Sequence, residues 1–179
     1  MPYRIRSHLR CGGVIAYPTE FCYGLGGLPR HCRALKRILH LKKRPQHKGL
    51  IVIGSHIGQL QPLLNRLPEN DRLALAEMWP AAKTVLLPSS VRISAILRGR
   101  QRDKLAVRVP DHALARSLCK MTRFPLISTS CNRAGRRPCK TEREVRRQFG
   151  REVMVIGGRV GQRRQPSEII DWQNRQRLR

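Results

Sequence analysis

An α/β domain built on a mixed sheet is the fold class that this sequence predicts. Three observations predict it. Short runs rich in branched residues recur along the chain, amphipathic segments alternate with them, and no repeat, low-complexity linker or second composition zone breaks the 179 residues. With 40% of positions apolar, the chain can bury one sizeable core, so residues 1–179 are expected to form a single domain.

In chain order, the first strand is expected over 14–18 (VIAYP). Gly24-Leu25-Gly26-Gly27 follows it and reads as a tight turn, either beside a ligand or simply structural. Leu35, Ile38, Leu39 and Leu41 then approximate helical spacing and leave the basic side chains mostly on the opposite face. This helix should end at Arg44, because Pro45 disfavours helical geometry in the residue before it. Further strands are expected over 50–53 (LIVI), 84–88 (TVLLP), 105–109 (LAVRV), 125–129 (PLIST) and 152–156 (EVMVI). Helices are expected near 56–65, 71–79, 111–121 and 141–149. Asp111 is placed to cap the third of these, and Thr141 with Glu144 forms a capping box for the last.

Charge narrows the class of partner. Lys and Arg number 37 against 11 Asp and Glu, a formal net charge of +26, which is best tolerated beside a polyanion such as nucleic acid. A general drift of composition toward arginine would give the same excess. Positions 21–68 hold no acidic residue, while Lys42-Lys43-Arg44 and Lys48 crowd the same stretch, so the field is strongest there. The six cysteines (Cys11, Cys22, Cys32, Cys119, Cys131 and Cys139) form no C-x-x-C pair and read as reduced thiols. Neither an export leader nor a membrane span is expected, so the chain is placed in the cytoplasm.

Generic motifs exclude more than they establish. The third glycine of a dinucleotide fingerprint would fall at Pro29, and no Walker lysine motif is present. Ser117-Leu118-Cys119-Lys120 matches S-x-x-K and Ser130-Cys131-Asn132 matches S-x-N. The K-T-G that should accompany them fails, since Glu142 follows Lys140-Thr141, so Ser117 reads as an ordinary helix residue. The six histidines never reach metal-binding spacing with one another or with cysteine, and no metal site is expected.

Four stretches carry more together than apart. They are Tyr17-Pro18-Thr19-Glu20, Lys42-Lys43-Arg44-Pro45 before Lys48-Gly49-Leu50, Ala106-Val107-Arg108, and Ser128-Thr129-Ser130-Cys131-Asn132. In this order and spacing, with Pro166-Ser167-Glu168-Ile169 near the end, the chain resembles the YrdC/TsaC family of threonylcarbamoyl-AMP synthases in its short bacterial form. The resemblance implies a twisted mixed sheet with flanking helices around a concave, positively charged cavity. It also implies formation of L-threonylcarbamoyladenylate and pyrophosphate from L-threonine, bicarbonate and ATP. In that family the product serves threonylcarbamoyladenosine modification at position 37 of tRNAs reading ANN codons, completed by a separate tRNA threonylcarbamoyl transferase complex.

The residues suit that chemistry on their own terms. A carbamate must attack the α-phosphorus of ATP, so anions are brought together and cations must offset their repulsion. Arg44 offers a planar fork for phosphate oxygens and Lys42 and Lys48 offer point charges, with Mg2+ expected to ride mainly on the nucleotide. Lys42 and Arg44 are the candidate catalytic groups, and no catalytic Ser or Cys is expected. Arg108 sits on an otherwise apolar strand, where a guanidinium needs a carboxylate partner. The resemblance assigns it to the threonine carboxylate; an internal acid is the structural alternative. By the same resemblance Thr19, Ser128 and Ser167 join the threonine site, and Ser130, Asn132 and Arg179 join Arg44 and Lys48 around ATP. Arg179 stands at a position prone to fraying.

The chain departs from the family pattern at four places. Trp79-Pro80-Ala81-Ala82 replaces W-P-G-P, Phe21 stands where Thr or Ala is common, Lys104 replaces a small hydroxyl residue, and 157–165 is rich in Arg. That last loop is read as facing RNA. The rival reading is a non-catalytic binder of double-stranded or ribosomal RNA with the same fold. A third, a carbamoyl transferase module from a hydrogenase-maturation protein, lacks the accompanying zinc-finger and acylphosphatase segments.

Overall fold

The computed structural model describes residues 2–43, 48–99 and 102–179. The branched runs do form strands, but these divide between two sheets where one was expected. β1 (Ile15–Pro18), β2 (Tyr23–Gly26), β7 (Thr129–Ser130) and β8 (Met154–Val155) form a four-stranded sheet in the order β7-β2-β1-β8. β3 (Val52–Ile53), β4 (Lys83–Pro88), β5 (Lys104–Arg108), β6 (Leu126–Ile127) and β9 (Glu168–Asp171) form a five-stranded one in the order β6-β3-β5-β4-β9. Each is mixed: β1 runs antiparallel to β2 and parallel to β8, and β5 runs antiparallel to β4 and parallel to β3.

The division falls inside 125–129, expected as one strand. Ile127 pairs with Val52 in the larger sheet, whereas Thr129 pairs with Leu25 in the smaller. Ser128 lies between, and its amide donates to Ile51 O at 2.8 Å. Branched composition reports extended backbone but not its partner, which is why the crossing reads as one continuous run.

Gly24 and Gly26 belong to β2 and not to a turn. Their role is to admit a neighbour. A Cβ on Gly26 would stand 2.6 Å from Tyr17 Cε1, and that fully buried ring reaches over to donate its hydroxyl to Ile127 O at 3.0 Å.

The helices are α1 (Pro2–Arg10), α2 (Cys32–Lys42), α3 (Ile57–Leu60), α4 (Glu69–Met78), α5 (Ala95–Arg98), α6 (Ala113–Thr122) and α7 (Glu142–Phe149). α2 buries Ala34, Leu35, Ile38, Leu39 and Leu41 as its spacing requires. It stops at Lys42, earlier than expected, because Lys43 turns left-handed at φ 48° and donates its amide to His40 O. Arg44 and Pro45 lie outside the described residues. The segment 56–65 holds only α3 and a single 3-10 turn over Gln61–Leu63, where Pro62 lacks the donor a continuing helix needs. α6 is capped by His112, whose Nδ1 accepts from Ala115 N, and not by Asp111, which lies one residue too early and faces Arg116. The Thr141–Glu144 capping box of α7 is present in both directions. α1 was not expected from its charged sequence; Ile5 and Leu9, four apart, bury its inner face. Among the described residues no helix is long and apolar enough to cross a membrane.

Two apolar clusters hold the sheets together. Val14, Ala16 and Leu25 of the smaller sheet region join Val52, Val85 and Val107 of the larger one in the first. Ile15 and Tyr17 join Ile53 and Leu126 in the second, under α1 and α6. Alternate residues of 14–17 thus bury on opposite faces, which explains why this strand is apolar throughout.

Candidate active site

A cavity of about 680 Å3 opens where strand ends of both sheets meet. Seven of the ten residues expected at the site line it: Thr19, Lys48, Arg108, Ser128, Ser130, Ser167 and Arg179. Thr19 and Glu20 follow β1, Arg108 closes β5, Ser128 is the crossing between sheets, Ser130 closes β7, and Ser167 precedes β9. Thr19 Oγ1 donates to Cys22 O at 2.7 Å, closing the turn that carries Glu20 and Phe21. Phe21 lines the cavity with Lys140 Nζ 5.0 Å from its ring centroid. Ser167 Oγ and Thr84 Oγ1 lie 2.8 Å apart, so both hydroxyls are oriented.

Lys42 and Asn132 stand behind the lining. Lys42 belongs to the buried face of α2, and its ammonium donates to Ser130 O, to Asn132 O at 3.1 Å and to Asn132 Oδ1 at 3.0 Å. Ser130 Oγ donates to Asn132 Oδ1 at 2.7 Å. The lysine of K-x-R is therefore a fastening for the S-x-N loop, and Lys43 beside it is exposed. Arg44 lies outside the described residues.

Arg108 finds an internal acid. Its Nη1 lies 3.3 Å from Glu20 Oε1, both side chains buried, and Glu20 Oε1 also accepts from Asp111 N at 2.9 Å. Glu20 Oε2 and Arg108 Nε are buried with no partner among the described residues. Glu20 was legible only as the end of P-T-E; a buried arginine's need for an acid is the signal that would have paired the two. Arg179 does not fray: its Nε and Nη2 donate to Ser167 O at 3.3 and 3.1 Å, and its carbonyl accepts from Ile169 N. Burial first, and then the Arg108 cation, push the Arg179 guanidinium below its ordinary pKa. Lys104 forms an ion pair of 2.7 Å with Asp171 in the same wall.

The Arg-rich loop over 157–165 packs on the site. Gly161 N donates to Thr19 O and Arg163 N to Glu20 O, and Arg163 and Gln165 line the cavity. Composition alone turns this loop toward RNA, whereas these contacts hold it against Thr19 and Glu20.

All six cysteines carry free thiols. Cys22, Cys131 and Cys139 are buried, Cys131 as the middle residue of the S-x-N motif and Cys22 in the cavity lining. Burial pushes the Cys22 thiol up to about 11, and a hydrogen bond to Cys139 together with burial raises Cys131, so neither offers a thiolate nucleophile. Among the described residues no three His, Cys, Asp or Glu side chains are grouped to hold a metal ion.

The family model Sua5_yciO_yrdC, described as "Telomere recombination", matches residues 7–179. A Neisseria gonorrhoeae protein named threonylcarbamoyl-AMP synthase is 57% identical over 176 residues, covering 98% of this chain and 93% of its own. A Chromobacterium violaceum protein of the same name is 48% identical over 98% of this chain and 91% of its own. Among solved structures, P. abyssi Sua5 complexed with L-threonine superposes with a TM-score of 0.83 at 30% identity. That alignment covers 97% of this chain, which spans 53% of the longer P. abyssi chain. With a family model matched over nearly its whole length, close relatives across the same span and the same fold in solved structures, the chain belongs to the Sua5–YciO–YrdC family.

Proposed function

We propose that this protein is an L-threonylcarbamoyladenylate synthase, converting L-threonine, bicarbonate and ATP to threonylcarbamoyl-AMP, pyrophosphate and water. The observation that carries the reading is one cavity lined by the Arg108 and Arg179 guanidiniums, Lys48 and the hydroxyls of Thr19, Ser128, Ser130 and Ser167. Cations and hydroxyls so gathered suit anionic reactants and the charge that develops as they react. Relatives of this name and a threonine-bound relative of the same fold make threonine and ATP the reactants to test.

In this reading Arg108 takes the threonine carboxylate, with the hydroxyls of Thr19, Ser128 and Ser167 around the amino acid. Lys48, Ser130 and Arg179 serve the nucleotide, Asn132 serves it by accepting from the Ser130 hydroxyl, and Arg44 is assigned there by its motif alone. Lys42 acts by holding the S-x-N loop in shape and reaches the nucleotide through that loop. No protein nucleophile is needed, because the carbamate itself attacks the α-phosphorus and pyrophosphate leaves; positioning and cationic stabilisation supply the acceleration. Of the cavity's three acids, Glu20, Asp103 and Asp171, two are engaged by cations, which leaves one carboxylate, so Mg2+ would be held chiefly by the triphosphate's own oxygens. The product is the activated donor for a tRNA threonylcarbamoyl transferase complex, with tRNA as the final acceptor, and we place the enzyme in the cytoplasm with those partners.

The test is pyrophosphate release from ATP under Mg2+. Release is expected to require both threonine and bicarbonate, and to fall by about a hundredfold or more in Arg108→Ala, the scale for losing a buried charged contact to substrate. Release that ignores threonine, or none from the wild-type protein, would overturn the assignment.

A further inference from the structure

The buried Glu20 carboxylate is bonded through one oxygen only. It is 4% exposed, with Oε1 accepting from Asp111 N and Arg108 Nη1 while Oε2 has no partner among the described residues. A buried ion pair whose polar atoms are only partly satisfied is a poor device for stability, since desolvation offsets its Coulombic gain. Glu20 is nevertheless held firmly. Its carbonyl accepts from Arg163 N at 3.2 Å, and Thr19 O accepts from Gly161 N at 2.9 Å. Gly161 lies so close that a Cβ there would be 2.8 Å from Glu20 O. With the acid fixed by its backbone, the arginine is the partner that must conform.

A guanidinium is planar and its donors point in fixed directions, so holding Nη1 sets the aim of the whole group. Nη2 has no partner among the described residues, and Arg108 lines the cavity. We infer that Glu20 is a positioning residue for threonine, holding Arg108 so that its remaining donors meet the substrate carboxylate. This rests on the assignment of Arg108 proposed above.

The experiment is a double-mutant cycle on the full chain with Glu20→Gln, Arg108→Ala and both together. It reads steady-state kinetics and equilibrium binding of threonine alone. Gln keeps the size of Glu20 and an acceptor for the Asp111 amide, but removes the charge. Threonine KM and Kd are expected to rise by about tenfold in Glu20→Gln, with ATP KM moving less than about twofold and little further loss when Arg108 is already Ala. Glu20→Asp, which keeps the charge but shortens its reach, should give the same threonine-selective rise and serves if Gln fails to fold. An unchanged threonine KM, an equal rise in both KM values, or the same cost in both backgrounds would reduce Glu20 to a structural acid. If the wild-type protein makes no product, the synthase assignment falls, while threonine titration still reads the action of Glu20 on Arg108. If the wild-type protein binds no threonine, the positioning role falls as well.

Discussion

Lys42 carries contacts that its motif alone does not reveal. An ammonium in the last turn of a basic helix invites the reading of a phosphate contact, yet here it is 5% exposed and surrounded by the carbonyls of Ser130 and Asn132. Lys42→Met keeps the stem and removes the donors. It should lower stability by about 3 kcal/mol, as expected when buried acceptors are left unpaired. A shifted denaturant midpoint checks this. Because the loop is also released, kcat should fall with it. The K-x-R and S-x-N motifs were each visible in the sequence, but their contact joins positions 88 and 90 apart, and no local pattern encodes it. The same holds for Arg108 and Glu20: the need for an acid was legible, its identity was not.

At the scale of elements, periodicity located the long amphipathic helices and the branched strands because each buries a face at its own period. It missed the short α5 and β9. Two further misses are β2, where two glycines in four residues suggest a turn, and α1, where charge outweighs two buried apolar residues. Both misses have one cause: the deciding contact comes from another element. For β2 that contact is the Tyr17 ring against Gly26. Gly26→Ala should force the ring aside and break its hydrogen bond to Ile127 O, lowering stability by about 2 kcal/mol in thermal or chemical unfolding. Gly135, where a Cβ would meet nothing within 4 Å, is a less sensitive position as far as space is concerned, although its φ of 74° still favours glycine.

For the whole molecule, the α/β class was readable and the division into two sheets was not, since composition along a strand carries no record of which neighbour it pairs with. We infer a single domain because both apolar clusters draw residues from both sheets. The charge of +26 also acts at this scale. Affinity for a short RNA duplex should drop by about a thousandfold as salt rises from about 50 to about 200 mM, the behaviour of a protein that neutralises several phosphates. Affinity that ignores salt would mark the excess as compositional drift.

Ser128 has a mechanical consequence. The chain passes from one sheet to the other through this one residue, with Ile127 N bonded to Gly27 O at 2.9 Å on one side and Ser128 N bonded to Ile51 O at 2.8 Å on the other. The two amides are adjacent stitches in a seam, so parting the sheets must tear both. Their hydrogen exchange therefore gauges the opening of the cleft. A ligand that touches the Ser128 hydroxyl grips the joint about which the halves of the molecule would have to turn.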